Sequence, residues 1–283
     1  MNKIHEPVLL EEILRHMHIK NQGNYIDATE GAGGYTKAIL EKGGNILGID
    51  ADESMLKIAK ENLRDVSGKA HLVHGNFKDI TKIAKENGLE KVDGIVFDLG
   101  VSNVHFSDRQ RGFSFRNPEA NLDMRLNPNS QTVKASDLLN VLRIDQLKEM
   151  FESNLARKIV EFRKTKKFEK VGDLTSLFPK KVPGKLHPAT KAFMSLRIAV
   201  NSELDNLRQA LPQGYELLKT GGKLVVVSFH SLEDGIVKNF MRNTQASLIK
   251  SKDKKTKPIK PRDEEIKRNP KSRSAVMRVL EKI

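Results

Sequence analysis

The segment Asp27-Ala-Thr-Glu-Gly-Ala-Gly-Gly34, followed by Gly48-Ile-Asp50, constrains this chain more than any other stretch. The apolar-rich lead-in from Asn24 to Asp27 predicts a strand. Glycines at 31, 33 and 34 let the backbone turn sharply against a ligand, and Tyr35 to Lys42 reads as the opening of a helix. A second strand over Asn45 to Ile49 then delivers Asp50, an acid placed to accept hydrogen bonds from both hydroxyls of a ribose. Strand, loop, helix, strand and acid in this order open a nucleotide-cofactor domain. The same residues also admit a glycine-rich turn that holds no ligand, because short glycine patterns recur by chance.

The glycine spacing and the loop charge discriminate between cofactors. A dinucleotide fingerprint starting at Gly31 wants a third glycine at position 36, which is Thr36. Asp27 and Glu30 would repel a pyrophosphate, whereas they suit the sulfonium and ammonium charges of S-adenosylmethionine. The loop therefore favours the methyl donor over a nicotinamide dinucleotide.

From Leu9 to Asp98 helical and extended patterns alternate, with a helix over Leu9 to His16 and strands at Tyr25, Ile46, His71 to Val73 and Gly94 to Asp98. Such alternation predicts an α/β fold with a mostly parallel sheet and helices on both faces, its ligand lying where the strands end. Asp27, Asp50, Asn76-Phe77 and Asp98 all fall at those ends. After Asp98 the rhythm breaks. Residues 106 to about 135 are rich in Arg, Asn, Pro and Ser, and Asp137 to Lys164 reads as helices. The expected organisation is a cofactor domain over 1–105 and 191–283 with a helical, substrate-recognising insertion over 106–190. One long helix, Ala189 to Leu211, leads back to the sheet. A turn at Gly221-Gly222 precedes the strand Lys223 to Ser228, and Ala246 to Lys250 and Ala275 to Leu280 could form a last pair of strands.

A net charge of +14 over 283 residues points to a polyanionic partner, since diffuse positive charge gains affinity by displacing counterions from phosphates. Residues 250–283 hold thirteen Lys or Arg against five Asp or Glu, so the surplus is concentrated at this end. With no cysteine, disulfides and thiolate metal sites are excluded. No apolar run approaches a membrane span, and the start lacks a signal-peptide apolar region, so a soluble, cytoplasmic protein is expected, with no membrane partner. The histidines at 5, 71, 74 and 187 show no metal-ligand spacing, and no metal is expected. The oligomeric state stays open, a homodimer included.

Six further stretches carry a family resemblance: His5-Glu-Pro-Val-Leu-Leu-Glu11; Asp98-Leu-Gly-Val-Ser102; Arg111-Gly-Phe-Ser-Phe-Arg116 with Leu122-Asp-Met-Arg125; His187-Pro-Ala-Thr190 with Leu196-Arg-Ile-Ala-Val-Asn201; Ser228-Phe-His-Ser-Leu-Glu-Asp234; and Asn269-Pro with Arg273-Ser-Ala275. In this order, over nearly the whole chain, they resemble the bacterial 16S ribosomal RNA cytosine-N(4) methyltransferases. The resemblance implies a class I, Rossmann-like methyltransferase fold with an inserted helical domain. It also implies S-adenosylmethionine as cofactor and 16S ribosomal RNA or the small ribosomal subunit as partner, with a cytosine amine near the decoding centre as acceptor. It places cofactor contacts at Gly33, Gly34, Tyr35, Asp50, Phe77, Asp98 and His105, to which the loop itself adds Gly31. The chain departs from the family pattern at Tyr35, where His is usual, at His105, where Gln is usual, and at Asn103, where a second serine is usual. Between Asn140 and Leu174 the pattern is recognisable only in Ala156-Arg-Lys-Ile159.

Asp98, Ser102 and His230 are the catalytic candidates. An acceptor at the end of the fourth strand can take a hydrogen bond from an exocyclic amine and raise its nucleophilicity, although Asp98 could equally cap a helix or serve the cofactor alone. His230 could orient base or acid, or simply be a hydrogen-bonded structural histidine. Phe113 and Phe115, set beside Arg111 and Arg116, could stack on an extruded base or anchor the loop in a core. Asn201, Glu203 and Asp205 are expected to face solvent or the sheet.

Overall fold

In the computed structural model, residues 7–108, 110–179, 187–248 and 257–283 are described. In chain order the elements are α1 (Leu10–Met17), β1 (Asn24–Asp27), α2 (Gly34–Glu41), β2 (Asn45–Asp50), α3 (Glu53–Asn62), β3 (Ala70–His74), α4 (Ile80–Glu86) and β4 (Val92–Asp98). There follow α5 (Asn103–Ser107), α6 (Ala135–Val141), α7 (Ile144–Met150), α8 (Ser153–Thr165), α9 (Val171–Thr175), α10 (Thr190–Asn201) and α11 (Glu203–Leu217). The chain closes with β5 (Leu218–Ser228), α12 (Ser231–Leu248), α13 (Asp263–Arg268) and β6 (Val276–Glu281).

These elements form two compact units. The first comprises residues 1–100 and 204–283, and the second comprises 101–203, against the 106–190 read from composition. The first unit is built on a six-stranded sheet of order β3-β2-β1-β4-β5-β6, in which β1 to β5 run parallel and β6 lies antiparallel on the edge beside β5. The order reverses between β1 and β4, and a crevice outside the carboxyl ends of such strands is where a ligand binds in this fold class.

Alternation along the strands explains why the sheet is covered on both faces. Ile26, Leu47, Ile95, Phe97, Leu224 and Val226 pack on one side with Ile80 and Ile83 of α4, Leu207 and Leu211 of α11, and Val237 and Met241 of α12. Their neighbours Tyr25, Ile46, Val96, Val225 and Val227 turn to the other side, against Ile13 and Met17 of α1 and Tyr35 and Ile39 of α2. A strand inside a parallel sheet has two faces to bury, and β4 is buried from Val92 to Phe97, apolar there except at Asp93 and Gly94.

The second unit has its own core of Leu122, Leu139, Leu147, Ala156, Ile159, Phe168, Leu174, Phe193 and Leu196, drawn from α6 to α10 and the loop before them. Spacings of three and four along α8 and α10 place these side chains on one stripe per helix.

Three expectations are corrected. The long helix Ala189 to Leu211 is two helices, because Ser202 adopts a left-handed conformation (φ 51°) that ends α10, and α11 starts at the next residue. Ala246 to Leu248, read as the start of a strand, belong to α12, whose buried Val237 and Met241 set a helical period that no glycine or proline interrupts afterwards; positions 249–250 lie outside the described residues. The partner of β6 is β5 instead. The Gly221-Gly222 turn is absorbed within β5 as an irregularity: the pairing with β4 jumps from Val92 and Leu218 to Gly94 and Lys223.

Candidate cofactor and acceptor site

Four carboxylates gather at the carboxyl ends of the central strands of the first unit, and the backbone between β1 and α2 binds them together. Asp50, the last residue of β2, accepts the Gly31 N–H on Oδ2 and the Asp52 N–H on Oδ1, both at 2.8 Å, so the ribose-type acid and the glycine loop form one piece. Thr29 Oγ1 accepts the Asp98 N–H at 2.6 Å, which ties the loop to the end of β4. Gly33 takes a φ of +88° where the helix begins, a region that side chains avoid. At Gly34 a Cβ would lie 2.3 Å from Pro7 Cγ, so the segment before α1 packs directly on the loop.

Burial dominates the electrostatics. Asp27, Glu30 and Asp98 are enclosed, yet Asp27 Oδ2, Glu30 Oε1 and Asp98 Oδ1 accept no hydrogen bond. Burial pushes the Asp98 carboxyl up to about 8, with the Asp27 charge adding to it, and pushes Asp27 up to about 7. Glu30 is raised as well by burial, although Thr36 Oγ1 donates to its Oε2 at 2.5 Å. Buried polar atoms are normally partnered, and an enclosed carboxylate without a cation is costly. Three such oxygens in one unit form an acceptor set for a cationic ligand, and this is the fit expected for a sulfonium and an ammonium group.

The remaining predicted residues divide between the two units. Phe77 follows β3 in the first unit and meets Phe97 of β4 edge-on at 5.7 Å. His230 precedes α12 as a cap: its Nδ1 accepts the Glu233 N–H at 3.4 Å, and the buried Glu233 carboxylate accepts the Phe229 N–H at 2.9 Å and lies 3.1 Å from His230 Nε2. Ser102 and His105 belong to the second unit, where they form a capping box on α5, with the Ser102 N–H donating to His105 Nδ1 at 3.0 Å.

There the aromatics take the second of their two alternatives, anchoring the loop in a core, and the asparagine expectation is corrected. Phe113 is buried in the core of the second unit, and Phe115 stacks on His187 at 4.2 Å. Arg111 is spent on the carbonyls of Arg125 (2.6 Å) and Leu126 (2.9 Å). Asn201 is buried, not solvent-facing; it donates to the carbonyls of Met124 and Arg197 and accepts from the Leu126 N–H and Gln131 Nε2. Sequence reasoning passed over Thr29 and the segment Pro7-Val8 as site components. The motif from His5 to Glu11 is the sequence signal that points to the latter.

A parallel sheet with this strand order, a glycine loop bound to the acid of β2 and an unpaired acidic set at the strand ends together define a class I methyltransferase. A match to the MraW methylase family extends over residues 2–283, and the chain belongs to that family. The ribosomal RNA small subunit methyltransferase H of Dictyoglomus thermophilum is 40% identical over 294 residues, covering 100% of this chain and 98% of the relative. The proteins of the same name from Fusobacterium nucleatum subsp. nucleatum and Acetivibrio thermocellus are 39% and 38% identical, with 98% and 99% of each relative covered.

Proposed function

We propose that this enzyme transfers a methyl group from S-adenosylmethionine to the exocyclic amine of a cytosine in 16S ribosomal RNA, acting in the cytoplasm on the RNA or on the small subunit that contains it. Family membership supports the reaction class, and the net charge of +14 supports the polyanionic acceptor. The observation that carries the reading is the set of buried carboxylate oxygens without partners on Asp27, Glu30 and Asp98.

When bound, S-adenosylmethionine supplies an electrophilic methyl group on a cationic sulfur. Gly31, Gly33 and Gly34 would present the loop backbone to it, Asp50 would take the ribose, Phe77 would contact the base, and Asp27 and Asp98 would balance its charge. A cytosine amine is a poor nucleophile because its lone pair is delocalised into the ring. Asp98 Oδ1, buried and unpartnered, accepts a hydrogen bond from that amine, localises the lone pair and aims it.

Single-turnover methylation by Asp98→Asn tests this assignment. The variant keeps shape but replaces a carboxylate oxygen by an amide, and the rate at saturating cofactor should fall about a hundredfold, the scale of losing a positioned acid or base. A rate near that of the wild type at saturation would remove Asp98 from the chemistry and leave it as a cofactor contact.

A further inference from the structure

The Tyr35 hydroxyl stands between two oxygens, 2.6 Å from the Val8 carbonyl and 3.2 Å from Asp98 Oδ2. A phenol has one hydrogen to donate, and a carbonyl can only accept, so the shorter contact takes that hydrogen. Val8 is not free to withdraw. The next residue, Leu9, donates its N–H to Glu265 Oε1 at 2.9 Å, and Pro7 is seated on Gly34. With the Tyr35 hydrogen committed to Val8, the contact to Asp98 needs a hydrogen of its own, and the carboxyl is the group placed to supply it. The chain then runs from Asp98 Oδ2–H to the Tyr35 oxygen, and from Tyr35 O–H to the Val8 carbonyl.

The surroundings favour the same proton count. Burial first, then Asp27 from β1 and Glu233 from α12, raise the Asp98 carboxyl, whereas a Tyr35 hydroxyl that donated to it would lower it. The groups acting on Tyr35 are Asp98, Asp27 and Glu265, so the phenol meets acids and stays protonated itself. Burial and Asp27 together hold the Asp98 carboxyl high, up to about 8.

We infer that Tyr35 is a positioning residue that keeps Asp98 as the neutral acid in the ligand-free enzyme, and that a cationic ligand in the loop drives one proton from Asp98 Oδ2 to solvent. The inference rests on the methyl-donor reading of the loop. The neutral acid removes the repulsion between Asp98 and Asp27 in the ligand-free enzyme. It also sets an order. The charged carboxylate, the stronger acceptor for an amine, exists only once the donor is bound, so the acceptor base is engaged second.

The test is a carboxyl carbon-13 titration of the full, ligand-free chain labelled at aspartate, with the Asp98 resonance identified by its loss in Asp98→Asn. Wild-type Asp98 should titrate well above the ordinary carboxylate range. Tyr35→Phe removes the acceptor of the acid's proton and should lower that midpoint by about one pH unit, a modest change in differential interaction. A wild-type midpoint in the ordinary range, or a midpoint unmoved or raised in Tyr35→Phe, overturns the proposal, a rise meaning that the hydroxyl donates to the carboxylate. If Tyr35→Phe does not fold, calorimetry decides. S-adenosylmethionine binding at neutral pH in buffers of different ionisation enthalpy should release about one proton fewer in Asp98→Asn than in wild type, and equal release refutes the relay. Failure of S-adenosylmethionine to bind, with the carbon-13 midpoints as expected, would sink the methyl-donor reading and leave the Tyr35–Asp98 pairing standing.

Discussion

Two loops in this molecule carry buried charge, and they treat it in opposite ways. In the second unit, Arg125 pairs with both oxygens of Asp123 at 2.7 Å and donates to the Gln131 carbonyl at 2.6 Å, while Arg111 and Asn201 hold the neighbouring carbonyls. Burial works to raise Asp123, but Arg125 holds it below the usual carboxylate range. In the first unit, Asp27, Glu30 and Asp98 are at least as enclosed and are left with oxygens that nothing satisfies. Motif density at the sequence level does not tell the two apart; charge pairing does. A closed network stabilises a loop, whereas an open one costs stability that only a ligand returns.

The largest expected effect tests the closed network. Arg125→Ala leaves the half-buried Asp123 with only the backbone N–H of residue 125 as a partner, and thermal or denaturant unfolding should show a loss of about 2–3 kcal/mol, the scale of losing hydrogen bonds to a charged group. S-adenosylmethionine affinity of the folded fraction should be unchanged. A loss of affinity with intact stability would reverse the contrast between the loops.

Asp50→Ala addresses a carboxylate intermediate in character between the two, satisfied by backbone and proposed to take the ribose. Titration calorimetry should find S-adenosylmethionine binding weaker by about 2–3 kcal/mol, from the absent charge-assisted hydrogen bonds to the ribose. Unchanged affinity would place the ribose elsewhere.

The open network should show itself in pH dependence without ligand. Asp27 and Asp98 have folded-state values of about 7 and about 8, above the ordinary 3.8, so between these limits the folded chain binds more protons than the unfolded one. Stability contributed by the neutral acids is therefore present at low pH and lost as pH rises from about 4 to about 8. Melting temperatures recorded across that range should fall, and Asp98→Asn should flatten the upper part. A melting profile that rises instead would mean the acids are partnered in solution.

The smallest effect is diffuse. Exposed Lys257, Lys260, Lys267 and Arg268 changed together to Ala should reduce the log-log salt slope of RNA binding by up to about 4, one for each phosphate no longer neutralised, without moving cofactor affinity. An unaltered slope would make this basic segment a solvated surface. Lys254 and Lys255, in the same charge run, lie outside the described residues.

Much of the site is legible in the residues alone, and for a physical reason. Strand and loop signals are local: the alternation around Tyr25 and Ile46, the glycines at 33 and 34 and the acids at strand ends are written within a few residues of one another. Other features are not legible in that way. The single residue Ser202 splits a continuous apolar period by adopting a left-handed backbone, which composition does not announce. Phe113 and Arg111 look like a base-stacking pair because aromatic and basic residues alternate there. Only packing shows the ring in a core and the guanidinium on carbonyls.

By itself the sequence determined the α/β class, the cofactor loop, the acid of β2 and the basic character of the chain, because periodicity and charge are properties of short windows. Tertiary structure alone decided which charges are satisfied. Tyr35 meets Asp98 and Val8 across separations of 63 and 27 residues, and Leu9 meets Glu265 across 256. The protonation state of a buried acid depends on such partners and on exclusion of water, and neither exists until the chain has folded around it.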